Sequence, residues 1–276
     1  MERNRPVSDQ PSRLTGSSPL LRMFGLLELI ASKDHLVSLQ TLAQETGLPK
    51  PTLHRMLASF VAEGLLIRQN DRRLYGTGPR LRDFAESLLM NATQHGARHA
   101  VLLALVEELG ETCNITALSG SEVLYLDRVE TNEPLRFHLS PGSRVPVHCS
   151  ASGKLLLGQL PAETRRSLLM HAPLEQYTDA TITDVAQLDA EVEKCGQQGY
   201  AIDNEEFIYG LVCFAVLVPG GHGRSRQCIA VQGPSFRLQP SDGDRVLPAL
   251  RRAAEALRSI EVEGRAMGLA QSEASA

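Results

Sequence analysis

A chain of 276 residues with 42% apolar content is long enough for two domains of ordinary size and far from the composition of a disordered protein. The overall charge of −4 alone argues against a nucleic-acid binder. It is unevenly spread, however: residues 1–80 carry 11 Lys and Arg against 7 Asp and Glu, a net of +4, whereas residues 81–276 carry 17 against 25, a net of −8. A small basic module joined to a larger acidic one fits a DNA reader attached to a part that stays off DNA. The cysteines at positions 113, 149, 195, 213 and 228 are odd in number and form no CxxC pair. That excludes the usual zinc frameworks and disfavours a disulfide scaffold. The polar start MERNRPVSDQPSR lacks an apolar run of signal-peptide length, and no window approaches the ~20 apolar residues of a membrane span. The expectation is a cytoplasmic, reduced protein with no metal, cofactor or membrane partner.

Residues 1–17, rich in Ser, Pro, Arg and Gln, read as a disordered tail. Ser17–Ser18 then cap a helix from Pro19 to Ala31 that is apolar nearly all round, hence buried or at a partner contact. The stretch Leu39–Tyr75 reads as a helix, a tight turn, a second helix and a short basic hairpin. Leu39, Leu42 and Ala43 share one face of the first helix, and Gly47-Leu48-Pro49 stops it. The second helix turns Leu53, Met56, Leu57, Phe60 and Val61 inward, with Pro51 in its first turn. Its outward face then carries Pro51, Thr52, Arg55, Ala58, Ser59 and Ala62, flanked by Lys50 and His54, with no acid before Glu63. Such a short-chained, basic face can enter a major groove. Gly64 ends the helix, and the hairpin that follows places Arg68, Arg72 and Arg73 where a wing would meet phosphates or the minor groove.

Gly76–Pro79 reads as a hinge leading to an amphipathic helix with Leu81, Phe84, Ala85, Leu88 and Leu89 at helical period. A second helix is expected from about Thr93 to Leu109, ended by Gly110. Strands follow at Thr112–Leu118 and Glu122–Val129 around a Ser-Gly-Ser turn, with another at Leu135–Leu139. Helices are expected at Ser152–Leu160, Pro161–His171 and Asp184–Gly199, and strands at Leu211–Val218 and Gln227–Val231. A closing helix is expected over Gln239–Ile260, with a frayed tail from Gly264. Strands flanked by helices give an α+β, sensor-like second domain.

Several residues invite chemistry. Cys149-Ser150-Ala151-Ser152-Gly153-Lys154 at a helix start offers free amides and a positive dipole end, an anion site, or else a plain Ser cap with small residues packed on a sheet. It is neither a P-loop nor a Ser-x-x-Lys acylation site. Asp203-Asn204-Glu205-Glu206 could pair carboxylates, although acidic runs usually form solvated loops. Cys149 with His148 or His138 could make a nucleophile and base, but a buried free Cys is the commoner case. His95 and His99 have metal spacing, yet Gly96 removes the Glu of a zincin motif.

LQTLAQETGLPKPTLHRMLASFVAEGLL, YGTGPRLRDFA, GSRVPVHCSASGKLLLGQLP, GYAIDNEEFIYGLVCFAV and IAVQGPSFRL occur in this order, and together they resemble the IclR family of bacterial transcriptional regulators over about residues 18–260. The resemblance implies a winged helix–turn–helix domain (18–78), a linker helix (79–92) and a GAF-like α/β effector domain (93–262), with a flexible tail at 263–276. It implies a homodimer or dimer of dimers on pseudo-palindromic double-stranded DNA, controlled by a small, often carboxylate-bearing effector. Carried over to this chain, the pocket would use Ser150 and the amides of Ala151 and Ser152, lined by Asp203, Cys213, Ala230 and Gln232. Three positions depart from the family pattern. Gln232 stands where Ser is frequent, the Cys213 strand lacks the usual proline, and Pro51 replaces a Ser or Thr. The first two leave room for a ligand other than the family's small oxo-acids. The competing expectation is an enzyme or small-molecule binder whose winged helix serves as an interaction module.

Overall fold

The structure is a computed structural model that describes residues 18–33, 35–69, 73–93, 96–171, 174–220 and 225–273. Contacts divide the chain into two units, residues 1–88 and 89–276. In the first, the Ser18 hydroxyl accepts the Leu21 N–H and opens α1 (Pro19–Ala31). Ser38 caps α2 (Leu39–Thr46) in the same way, through the Thr41 N–H. Gly47, at φ 68°, closes α2 in the left-handed conformation that favours glycine, and α3 (Lys50–Ala62) starts three residues later. Strands β1 (Val37–Ser38), β2 (Leu66–Gln69) and β3 (Leu74–Thr77) form an antiparallel sheet in the order β1-β3-β2. Leu26, Ile30, Leu42, Leu53, Leu57, Phe60, Leu66 and Tyr75 build one core under the three helices. This is a winged helix–turn–helix.

The structure sharpens the reading of this unit. Only Leu26 and Ile30 of α1 are buried, while Leu20, Leu21 and Phe24 are exposed, so α1 keeps one apolar flank uncovered. Gly76 and Thr77 belong to β3 rather than to a hinge. Gly78 makes the exit: a Cβ there would lie 2.3 Å from the Gly64 carbonyl oxygen. β1 escapes sequence reading because two residues carry no period. Residues 1–17 lie outside the described residues.

α4 (Pro79–Thr93) leaves the wing, and the next helix, α5 (Ala97–Leu109), begins four residues later than expected. The second unit is a six-stranded antiparallel sheet. Its strands are β4 (Thr112–Ser119), β5 (Glu122–Val129), β6 (Arg144–Pro146), β7 (Ala201–Asn204), β8 (Leu211–Leu217) and β9 (Gln227–Pro234), in the order β6-β5-β4-β9-β8-β7. On one face lie α5 and α9 (Gly243–Glu273), packed on Ile115, Leu126, Phe214 and Val231. On the other lie α6 (Ala151–Gly158), α7 (Ala162–His171) and α8 (Val185–Gln198), packed on Tyr125, Ala215 and Ala230. Burial from both sides explains why β8 and β9 read as apolar runs rather than alternating ones.

Leu135–Leu139 is not a strand. Its carbonyls go to arginine side chains instead of a neighbouring strand: Arg128 Nη2 donates to the Phe137 oxygen, and Arg237 Nη2 to that of Leu135 (2.9 Å). β6 and β7 were not anticipated, being three and four residues long. β9 runs on to Pro234, and α9 continues to Glu273 instead of fraying at Gly264. The Gly221–Gly223 part of the β8–β9 loop lies outside the described residues. Among the described residues no helix is long and apolar enough to cross a membrane.

Candidate DNA-binding face and ligand pocket

On α3 the buried side chains Leu53, Leu57 and Phe60 fix the orientation, and Lys50, His54, Arg55 and Ser59 are exposed on the other side. Thr52 is half-buried, and the Ser59 hydroxyl donates to the Arg55 carbonyl (3.1 Å), so these two present less than the sequence suggests. On the wing, Arg68 is exposed and Arg73 stands at the hairpin tip with φ 50°; Arg72 lies outside the described residues. Among the described residues of this unit, Glu63 pairs with Arg80 (2.8 Å) and Glu45 with Lys33 (2.8 Å). The result is a protruding basic helix beside a basic hairpin, the shape that enters a major groove and grips its walls.

In the second unit α6 starts at Ser150, whose hydroxyl accepts the Gly153 N–H (3.2 Å) and donates to the Pro146 carbonyl (2.9 Å). The Lys154 N–H bonds the Ser150 carbonyl, so among the described residues the first-turn amides of Ala151 and Ser152 are the two with no acceptor. Gly153 allows this turn to press on Val147, because a Cβ would sit 2.1 Å from the Val147 carbonyl oxygen. Lys154 is wholly buried and ties α6 to β7, donating to the Ile202 carbonyl (2.6 Å) and to Glu206 Oε1 (2.5 Å).

Beneath α6 the strand register sets out a polar patch. Gln232 faces Cys213, and Cys213 faces Asp203, so one cross-strand row holds all three. Ala230 faces Asn114 in the next row on the same side. Ser150, Ala151, Ser152, Asp203, Cys213, Ala230 and Gln232 are all buried. Asp203 also does structural work, accepting the Glu206 N–H on Oδ1 (2.7 Å). Burial first, and the Glu206 charge second, push its pKa up to about 7.

Sequence reading missed four residues here: Asn114, Thr116, Tyr125 and Arg128. Asn114 Nδ2 (3.3 Å) and the Tyr125 hydroxyl (3.2 Å) both donate to Gln232 Oε1. Gln232 Nε2, Asn114 Oδ1, Thr116 Oγ1 and Arg128 Nε and Nη1 are buried with no hydrogen-bond partner among the described residues. So many orphaned groups on one sheet face mark a place meant for a polar guest. The available signal was Asn114 and Thr116 alternating with Cys113, Ile115 and Ala117, since Asn is rare in strands.

The chemically reactive alternatives dissolve. Cys149 is buried and its thiol pushed well up by that burial, while His148 Nε2 bonds the Glu175 carbonyl (2.9 Å). His138 pairs with Glu130 (2.9 Å) and His99 with Asp127 (3.1 Å), and His95 lies outside the described residues. Contrary to the solvated-loop expectation, Asp203 and Glu206 are buried, and Glu206 is held by Lys154. No group of three His, Cys, Asp or Glu among the described residues could hold a metal. A separate surface pocket of about 220 Å³, lined by Phe137, Gly210 and Pro234 among others, includes none of the expected effector residues.

Comparison with known proteins bears on both sites. The IclR helix-turn-helix domain model matches residues 19–70, and the model for the C-terminal part of IclR bacterial transcriptional regulators matches residues 93–259. The probable transcriptional regulator SauR of Cupriavidus necator is 44% identical over 237 residues, covering 85% of this chain and 93% of that protein. The transcriptional repressor IclR of Escherichia coli is 32% identical, covering 79% and 81%. The inducer-binding domain of the Acinetobacter PobR transcription factor, solved with 3-hydroxybenzoic acid, superposes with a TM-score of 0.53 at 29% identity over 58% of this chain and 94% of that one. Thermotoga maritima IclR shares the fold at a TM-score of 0.57 and 24% identity, over 87% of this chain and 97% of that one. A basic reading helix at one end and a domain of this kind at the other are the two halves of one family plan, and the chain belongs to the IclR family of bacterial transcriptional regulators.

Proposed function

We propose that this DNA-binding regulator reads a pseudo-palindromic operator as a dimer or dimer of dimers in the cytoplasm, and that a small carboxylate-bearing metabolite sets its operator affinity. Lys50, Thr52, His54, Arg55 and Ser59 face the bases, while Arg68, Arg72 and Arg73 hold the backbone. The exposed flank of α1, with Leu20, Leu21 and Phe24, supports assembly, because monomers rarely leave so much apolar side chain uncovered on one helix.

The effector carboxylate lies against the amides of Ala151 and Ser152, where unpaired donors and the helix dipole favour negative charge. Asp203, Cys213, Ala230 and Gln232 close the site, with Gln232 and the hydroxyl of Ser150 or Ser152 orienting polar substituents. The observation that carries this reading is the buried, unpaired Gln232 Nε2 in a row with Cys213 and Asp203 under the α6 start. The 3-hydroxybenzoic acid bound by the PobR domain, itself a carboxylate, supports it. The function needs only binding and a population shift; a 10-fold change in operator affinity takes ~1.4 kcal/mol of differential binding.

Calorimetry with a panel of small carboxylates and aromatic acids tests the pocket, on wild type and on Ser152→Pro, which removes one amide donor. Whichever acid binds loses affinity in the variant. An unchanged affinity puts the pocket elsewhere.

A further inference from the structure

Resting on the reading of the sheet face under α6 as the effector pocket, we propose that the effector is a short acid with two anionic ends, one held at the first turn of α6 and the other by Arg128.

Arg128 is a cation without a full partner. Its side chain is 2% exposed. Nη2 is used by the Phe137 carbonyl, while Nε and Nη1 have no hydrogen bond among the described residues. The nearest acid, Glu130, lies 3.5 Å from Nε and is already shared, its Oε2 taken by Arg136 Nε (2.7 Å) and its Oε1 by His138 Nδ1 (2.9 Å). A buried guanidinium with two idle N–H groups is costly to keep unless something completes it. A carboxylate is the natural complement, since it can accept from both nitrogens at once. Arg128 stands directly opposite Asn114 across the β4–β5 pair, so it opens onto the same face as Asn114 and Gln232.

The α6 end has its own independent mark. Thr116 Oγ1 is buried and unpaired. Thr116 pairs with Cys228, whose Sγ contacts the Ser152 carbonyl at 3.7 Å, so the orphaned hydroxyl lies under the first turn of α6. One acidic group can take the Ala151 and Ser152 amides there, with Thr116 beside it.

The β4 residues that mark the two ends, Asn114 and Thr116, are two apart along the strand, roughly 7 Å, with Arg128 on the strand to one side and Cys228 on the strand to the other, so the diacids to test are those of about four to six carbons. The separate surface pocket lies beyond the Arg128 end along β9. The surface pocket begins at Pro234, two residues beyond Gln232 on the same face of β9, and is lined by Phe137, whose carbonyl Arg128 holds. A single-headed acid seated at α6 leaves Arg128 Nε and Nη1 unanswered, whereas a two-headed one answers them.

The test is calorimetry on the full chain with butanedioate, pentanedioate and hexanedioate against butanoate, pentanoate and hexanoate. In the wild type a diacid binds tighter than the monoacid of equal length by on the order of 10-fold or more, the gain of a charge-assisted pair. Arg128→Gln brings that diacid down to the monoacid level and leaves the monoacid unchanged, while Ser152→Pro weakens both classes. Equal wild-type affinity for the two classes overturns the proposal without any variant, so a folding failure of Arg128→Gln does not shelter it. Equal weakening of both classes by Arg128→Gln also overturns it, making Arg128 an anchor for Phe137 alone. Monoacid binding that Ser152→Pro abolishes, with no diacid preference, refutes the second head and spares the pocket. No binding by either class removes both.

Discussion

Gly153→Ala separates helix propensity from packing by the sign of its effect. Inside a helix, alanine is favoured over glycine by ~1 kcal/mol, so propensity alone predicts stabilisation. The surroundings of Gly153 predict the reverse. An added Cβ would lie 2.1 Å from the Val147 carbonyl oxygen, 2.5 Å from the Val147 Cα and 2.6 Å from Ser150 Oγ. The first two are backbone atoms and cannot rotate aside, so the first turn of α6 must lift. Overpacking costs ~1–3 kcal/mol, and a contact this short belongs at the upper end; after the propensity gain we expect a net loss of about 2 kcal/mol. At about 2–4 °C per kcal/mol for a unit of this size, the second unit should melt roughly 4–8 °C lower. Gly196→Ala is the matched control, since nothing lies within 4 Å of its Cβ position in α8. It should stabilise by ~0.5–1 kcal/mol. Thermal denaturation followed by circular dichroism reads both. Two shifts of the same sign and size refute the close approach of α6 to Val147, and with it the geometry of the pocket.

Arg55→Ala should relax specificity at one base position by ~1–3 kcal/mol, read as the ratio of operator to random-sequence affinity. Arg73→Ala should weaken all sequences alike and flatten the slope of log affinity against log salt by about one unit. Light scattering at micromolar concentration should report at least a dimer, and a monomer with and without DNA contradicts assembly through α1. Asp203 gives a pH signature. Its folded pKa of about 7 lies above its ordinary 3.8, so the native state holds a proton that the unfolded chain has lost. Stability therefore falls as pH rises from about 4 to about 7 and levels off above. Asp203→Asn keeps an oxygen for the Glu206 N–H, and denaturation of that variant should lose this slope; an unaltered slope assigns it to the neighbouring Glu206, whose pKa burial also raises.

The winged domain was legible because its signals are local: the Ser18 cap, Gly47 at the turn, and Leu53, Leu57 and Phe60 at helical spacing. The helices of the second unit were legible for the same reason, Asp184 and Gly199 bracketing α8 as cap and stop. What escaped was set by distant partners. Leu135–Leu139 has strand composition, yet Arg128 and Arg237 claim its carbonyls, and nothing in the segment announces that. The Asp203 run looked solvated because Lys154, the partner that holds Glu206, stands 52 positions earlier in the chain. The pocket floor was half-seen: Gln232, Cys213 and Asp203 came from family likeness, whereas Asn114, Thr116, Tyr125 and Arg128 needed the register of β4 with β5 and β9 to bring them there.

If α3 and its wing read DNA sequence, the protein must distinguish its own operator from other DNA. Fluorescence anisotropy of the full chain at about 0.15 M salt, on the DNA upstream of its own gene and on random DNA of equal length, tests it most directly. The upstream DNA should be preferred by about 10³-fold or more. Equal affinity for the two, falling together as salt is raised, would contradict it.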